Sequence, residues 1–308
     1  MSKEVYFFKP VPKVTIWGGD VVKNFFGYDF FPDKVGQCWA FNALGKDANE
    51  AIGEHSGETL LTLFENEPEL FNSKYNRFPF IISLVGPVDD LSIQVHPDTQ
   101  TGIKMGYTGG KNEAWYFIST PDDYNIVYNH NALDRAELDK YINDKRWNEL
   151  IRHLSIKQGE AVYIPAGTLH AMRKGAVVYE IQQAVDVTFR FYDYDRVDEK
   201  GNKRELQTAQ AVECLHYDTA NGIFEPETAV YDDAEATTFM RTESFTVRRW
   251  RVNGKAEIPL EGYAVAAVTR GSGSVDGYNV KVGDNILITA LRKLHSVEGD
   301  MEILMTME

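Results

Sequence analysis

From Leu91 to His96 the chain alternates strictly. Leu91, Ile93 and Val95 fall on one side, and Ser92, Gln94 and His96 on the other. Side chains along a strand point alternately to its two faces, so this segment is a β-strand with an apolar back and a polar front. Pro97 and Asp98 end it. No helix suits that period, and a front carrying an amide and an imidazole two positions apart belongs either at a solvent-facing edge or inside a barrel. The wholly apolar opposite face and the fixed strand end favour the barrel.

Further strand-like runs support a mainly β chain. They include Phe78 to Val85, a segment after Gly109-Gly110 on which Lys111, Glu113 and Trp115 share a face, residues 160–164, and 176–192. Beyond residue 242, short strands at 245–250 and 263–269, Val280 and the run 286–288 are separated by glycine-rich turns. This pattern reads as a second small β-barrel or sandwich. Helices are few: 56–71 with Ser56 as its cap and a break at Pro68, one or two over 134–150, and one at 208–215. The acidic stretch 225–242 reads as a connector. The expected organisation is therefore a catalytic barrel with peripheral helices over 1–230 and a C-terminal domain over 231–308. The segments KQGEAVYIPAGTLH (157–170) and KVGDNILITALRKLH (281–295) resemble each other, which suggests two barrels of one kind. The second keeps His295 but has no upstream strand of ligands, and is expected to be a packing module.

Composition narrows the function. The formal net charge of −14 is the wrong sign for a bulk binder of nucleic acid or anionic membrane. Two distant cysteines, Cys38 and Cys214, make no disulfide framework and are expected as buried thiols. The absence of a long apolar run or signal-like start points to a cytoplasmic protein.

Among the seven histidines, His96 and His170 stand apart. Gln94 and His96 project from one strand face, and Glu113 offers a carboxylate on another strand. His170 closes the spacing Gly159-x5-Pro165-x-Gly167-x-x-His170, whose turns flank a short strand and aim the imidazole into the barrel mouth.

This last spacing resembles the second signature of the cupin superfamily. LSIQVHPD (91–98), GKNEAWY (110–116), YIPAGTLHA (163–171) and EIQQAVDVTFRFYDYDR (180–196) are similar, in order, to the motifs of type I phosphomannose isomerases. The resemblance runs from about Trp17-Gly18-Gly19 to the C-terminus, and the short span from Glu113 to His170 fits the short bacterial form. It implies a jelly-roll catalytic barrel followed by a degenerate cupin-like one. It also implies one zinc ion per chain held by Gln94, His96, Glu113 and His170. Imidazole and carboxylate ligands suit zinc; Gln94 either ligates or hydrogen-bonds the substrate.

The reaction implied is the interconversion of D-mannose 6-phosphate and D-fructose 6-phosphate by ring opening and proton transfer between C1 and C2. Lys111 is then an oxyanion stabiliser or proton shuttle. Arg190 is the catalytic arginine beside the reacting carbons, and Asp186 an acid–base group for ring opening. Glu180 is the proton-transfer base or the orienter of Lys111. Glu180, Asp186 and Arg190 share a face only if their strand is unbroken. Ser92 and Arg196 are placed near the phosphate, with Arg196 alternatively a partner of Asp193 or Asp195. The chain departs from the family pattern at Asn112 (usually Thr), Ser83 (commonly Lys) and Gly110 (often His).

Two competing readings stand beside this one. The first is another cupin enzyme, an oxygenase or epimerase, in which Lys111 and Arg190 have no evident purpose. The second is a non-catalytic or altered-specificity sugar-phosphate-binding paralogue. The protein is expected to be a monomer or small homo-oligomer.

Overall fold

A computed structural model describes residues 4–198, 200–218 and 222–308. Among these the fold is mainly β, arranged as three antiparallel sheets of six, five and nine strands.

The six-stranded sheet contains the strands Phe80–Val85, Glu113–Ser119, Ala161–Ile164 and Val177–Gln183; the five-stranded sheet contains Ile93–Val95, His170–Ala171 and Phe189–Tyr192. Alternation gives the six-stranded sheet two different faces. Its inner face contributes Val85, Trp115, Phe117, Val162 and Val178. These pack with Ile126 and Tyr128 of the five-stranded sheet into one buried cluster. Two sheets closed face to face over such a core are a cupin-type jelly roll.

The outer face contributes Leu84, Tyr116, Tyr179 and Ile181 to a different core. That core they share with Phe239, Val265 and Leu304 of the C-terminal lobe. Polar side chains fasten the same junction: Arg249 donates to the Tyr116 hydroxyl at 3.0 Å, and the Tyr179 hydroxyl lies 3.1 Å from that of Thr306.

The nine-stranded sheet curls over its own core around Trp250, Val268, Ile286 and Ile303. Its two longest strands, Thr246–Pro259 and Leu294–Met307, pair over their full length. It also recruits the strand Val5–Phe8, which pairs with Asn285–Ile288.

The expected duplication is visible: Ala161–Ile164 and Asn285–Ile288 are both strands entered from a glycine with positive φ, Gly159 and Gly283. His295 in the second copy is buried, and its Nδ1 sits 2.7 Å from Asp276 Oδ2. Cys38 and Cys214 are free and buried. No described helix is long and apolar enough to cross a membrane.

Two local expectations are corrected. The stretch 225–242 is not a connector: Glu227–Tyr231 and Ala234–Arg241 are paired strands of the nine-stranded sheet. The helix expected over 56–71 begins only at Leu60 and ends at Asn66. Thr59 caps it, with its hydroxyl accepting from the Thr62 N–H, whereas the Ser56 hydroxyl donates to the Gly53 carbonyl. Pro68 does break it, opening a separate 3-10 turn.

Candidate metal centre

Sheet register builds one wall of the site. Gln94 stands directly opposite His170 on one side and Arg190 on the other. Directly opposed residues in an antiparallel pair project from the same face, so Arg190, Gln94 and His170 form a row. His96, two residues beyond Gln94, continues that face. The facing sheet supplies the other wall: Glu113 stands opposite Gln182, and Trp115 opposite Glu180.

Where the walls meet, His96, Glu113 and His170 bring ligand atoms within 4.8 Å of one another. His96 Nε2 lies 2.9 Å from Glu113 Oε1, and His170 Nε2 lies 3.6 Å from Glu113 Oε2. All three residues are 1% exposed. Lys111 is buried too, with Nζ 3.3 Å from Glu113 Oε1 and 3.5 Å from the Val187 carbonyl. It is not a surface lysine, although the strand itself starts only at Glu113.

The electrostatics suit a cation. Burial pushes the His96 imidazole down to about 4, helped by the Lys111 charge, and burial lowers His170 as well. Burial opposes ionisation of Glu113, but His96 and Lys111 outweigh it and hold its carboxyl well below the usual range. Neutral imidazoles beside a carboxylate are the protonation states that metal binding requires. The His170 Nδ1 lies 2.8 Å from the Thr168 carbonyl, which places its proton there and leaves Nε2 a bare lone pair. His170 Nε2, both ring nitrogens of His96 and Glu113 Oε2 are buried without hydrogen-bond partners. Orphaned buried polar atoms are rare in folded proteins, and His170 Nε2, Glu113 Oε2 and one nitrogen of the His96 ring converging on one point make a donor set for a metal ion. Gln94 stands at the rim of this cluster, half-buried.

Glu180 is fully buried nearby. It accepts from Trp115 Nε1 at 3.1 Å and from the Gln182 amide. Burial and the Glu113 charge raise its carboxyl to about 8. Arg190 Nε reaches the Ser92 hydroxyl at 3.3 Å, and its Nη1 donates to the Glu205 carbonyl at 2.8 Å.

Asp186 is placed differently from the expectation, and Arg196 takes one of the two placements expected for it. The strand pair breaks between Gln183 and Phe189, so Asp186 falls on an irregular link, exposed, and its carboxylate has no partner among the described residues. Glu180 and Arg190 themselves stand on different sheets, and Asp186 belongs to neither strand. Arg196 is engaged by carboxylates: Nη2 to Asp193 at 2.6 Å and Nη1 to Asp89 at 2.9 Å. This is the structural alternative for that residue.

The sequence reading missed Arg204, which grips the same Asp193 through Nε at 2.8 Å and Nη2 at 2.6 Å. The turn expected ahead of His170 is present. Gly167 there has φ +85°, and a Cβ on it would lie 2.5 Å from the His216 ring.

A mainly β jelly roll with two imidazoles and a carboxylate converging between its sheets defines a cupin-type protein with a donor set suited to a metal. Comparison with known proteins narrows this class. Residues 7–131 match the model of the phosphomannose isomerase type I catalytic domain, and residues 235–307 match that of the mannose-6-phosphate isomerase cupin domain. Mannose-6-phosphate isomerase ManA of Bacillus subtilis is 35% identical over 297 residues, 94% of each chain. A crystal structure of the mannose 6-phosphate isomerase from Bacillus subtilis superposes with a TM-score of 0.93 at 34% identity, covering 99% of this chain and 100% of that one. A zinc-bound mannose 6-phosphate isomerase, 12% identical, shares the fold with a TM-score of 0.77 over 99% of each chain. The chain belongs to the type I phosphomannose isomerase family.

Proposed function

We propose that this protein is a zinc-dependent aldose–ketose isomerase that interconverts D-mannose 6-phosphate and D-fructose 6-phosphate in the cytoplasm, with one zinc per chain. The observation that carries this reading is the buried His96–Glu113–His170 donor set, with its partnerless nitrogens and oxygen, in a chain of this family.

His96, Glu113 and His170 would hold the ion, with Gln94 at the rim as a fourth ligand or a substrate contact. A zinc ion there supplies Lewis-acid stabilisation of negative charge developing on the sugar oxygens. The Lys111 ammonium is held against Glu113 in the same dry site, where a fixed positive charge acts strongly on an enediolate. Arg190 is tied by Ser92 and the Glu205 carbonyl, which orients its guanidinium beside Gln94 without neutralising it. The Ser92 hydroxyl accepts from Arg190 and keeps its own proton to donate to the substrate. Glu180, whose carboxyl burial and the Glu113 charge raise to about 8, is the proton-transfer group or the orienter of Lys111. Asp186 is left as a candidate on the exposed link, and Arg196 as a residue that steadies this end of the site through Asp193. We further propose that a catalytic unit, expected over 1–230, and a packing unit, expected over 231–308, act together in a monomer or small homo-oligomer, with Val5–Phe8 and Glu227–Tyr231 paired into the packing unit's sheet.

The test is direct. Purified zinc-loaded protein should convert mannose 6-phosphate to fructose 6-phosphate, chelation should abolish the conversion, and added zinc should restore it. Binding of mannose 6-phosphate without turnover would instead favour a sugar-phosphate-binding paralogue.

A further inference from the structure

Asn112 lies between Lys111 and Glu113, and its side chain serves neither. Its Oδ1 accepts from the Ala166 N–H at 2.9 Å. Its Nδ2 and its backbone N–H both donate to Gln183 Oε1 at 2.9 Å, and its carbonyl accepts from the Gln183 N–H at 3.1 Å. The amide also reaches the Ser244 hydroxyl in the C-terminal lobe at 3.4 Å. The orientation of the amide is fixed, because the Ala166 N–H can only donate and so must meet the oxygen.

Ala166 belongs to the turn that presents His170. Within it the Thr168 N–H donates to the Pro165 carbonyl at 3.1 Å, the Gly167 N–H donates to the His96 carbonyl at 2.9 Å, and the Thr168 carbonyl faces His170 Nδ1 at 2.8 Å. One side chain thus cross-links the chain leading into Glu113, the turn leading into His170 and the end of the Val177–Gln183 strand.

We propose that Asn112 is a positioning residue: it fixes the separation of Glu113 from His170 and thereby sets the affinity of the centre for its metal. This rests on the metal-centre reading above. Ligand distances in metal sites tolerate changes of only about 0.2 Å, so slack in either supporting segment weakens binding without removing a ligand.

The test is zinc affinity of the full chain, measured by competition with a chromophoric chelator. Asn112→Ala should bind zinc roughly 10–100-fold more weakly, the usual cost of losing support behind metal ligands. Asn112→Asp keeps the acceptor for Ala166 but loses the donor to Gln183, so it should recover only part of that loss. A merely structural residue would lower the melting temperature of the metal-free protein and leave the zinc dissociation constant where it was. Should Asn112→Ala fail to fold, Gln183→Ala carries the test, because it removes the acceptor shared by both Asn112 N–H groups and should weaken zinc in the same direction. Zinc affinity within about twofold of wild type in Asn112→Ala, or in Gln183→Ala in its place, overturns the assignment. Absence of zinc binding in the wild-type chain would sink the metal-centre reading itself and this assignment with it, whereas wild-type binding with an unaffected variant sinks the assignment alone.

Discussion

His170 Nε2 stands 3.6 Å from Glu113 Oε2, and neither atom has a hydrogen-bond partner. A bare imidazole lone pair and a carboxylate oxygen are both acceptors and cannot bond each other. Here both point at a common space, as two ligands of one ion do, since ligands sit about 2 Å from zinc and farther from each other.

Removing either imidazole should therefore remove the ion. His170→Ala and His96→Ala are expected to lose zinc on dialysis by at least roughly 100-fold in affinity, more than the loss of a supporting residue brings. Metal content by atomic absorption checks this; full occupancy in His170→Ala would show that the ligand set is drawn wrongly.

Arg190 separates chemistry from metal binding. Its side chain touches Ser92 and the Glu205 carbonyl, not the ligand atoms. Arg190→Ala should keep zinc while kcat for mannose 6-phosphate falls by about 100-fold or more, the scale of a lost charge-stabilising donor. A variant with near-normal turnover would take Arg190 out of the catalytic set.

Glu180 should leave a signature in stability against pH. Its carboxyl rises from 4.5 to about 8 on folding, so between those values the folded protein holds a proton that the unfolded chain has released. Stability from this group is full below the unfolded value and is lost as pH rises towards the folded one. In metal-free protein, Glu180→Gln should therefore gain on wild type in melting temperature as pH climbs through that window. A gap between the two that stays constant with pH would contradict the assignment.

Gly167→Ala should be costly out of proportion to a methyl group. The left-handed backbone alone costs about 1–2 kcal/mol for a non-glycine residue. The added Cβ also meets the His216 ring at 2.5 Å. A lowered melting temperature and weakened zinc binding are both expected. Unchanged melting would mean that the turn relaxes freely.

The parts of the site that were legible in advance follow from alternation. Ser92, Gln94 and His96 share a face because strands have a period of two, and the Gly-Pro-Gly spacing placed His170 because turns need those residues. Alternation failed where its premise failed. Asp186 was aligned with Glu180 and Arg190 on an unbroken strand, and the strand breaks between Gln183 and Phe189. The hairpin at 227–241 was missed because Glu227–Tyr231 is an edge strand largely exposed on both faces, and so carries no apolar period. Asn112 was visible only as a departure from the family pattern. Its partners Ala166, Gln183 and Ser244 are far apart in the chain, and no local rule joins them.

The strand Val5–Phe8 lies in the same sheet as Asn285–Ile288, almost the whole chain away. On the ribosome, which releases residues in order, this strand emerges long before Asn285–Ile288, and until then it can pair only with Ala51–Ile52 on its other edge. The jelly roll around His96 and His170 can assemble while synthesis continues, but the nine-stranded sheet cannot complete until its last strands are free. Translation speed and chaperone protection of residues 5–8 therefore bear on the yield of native protein, although these residues take no part in the chemistry.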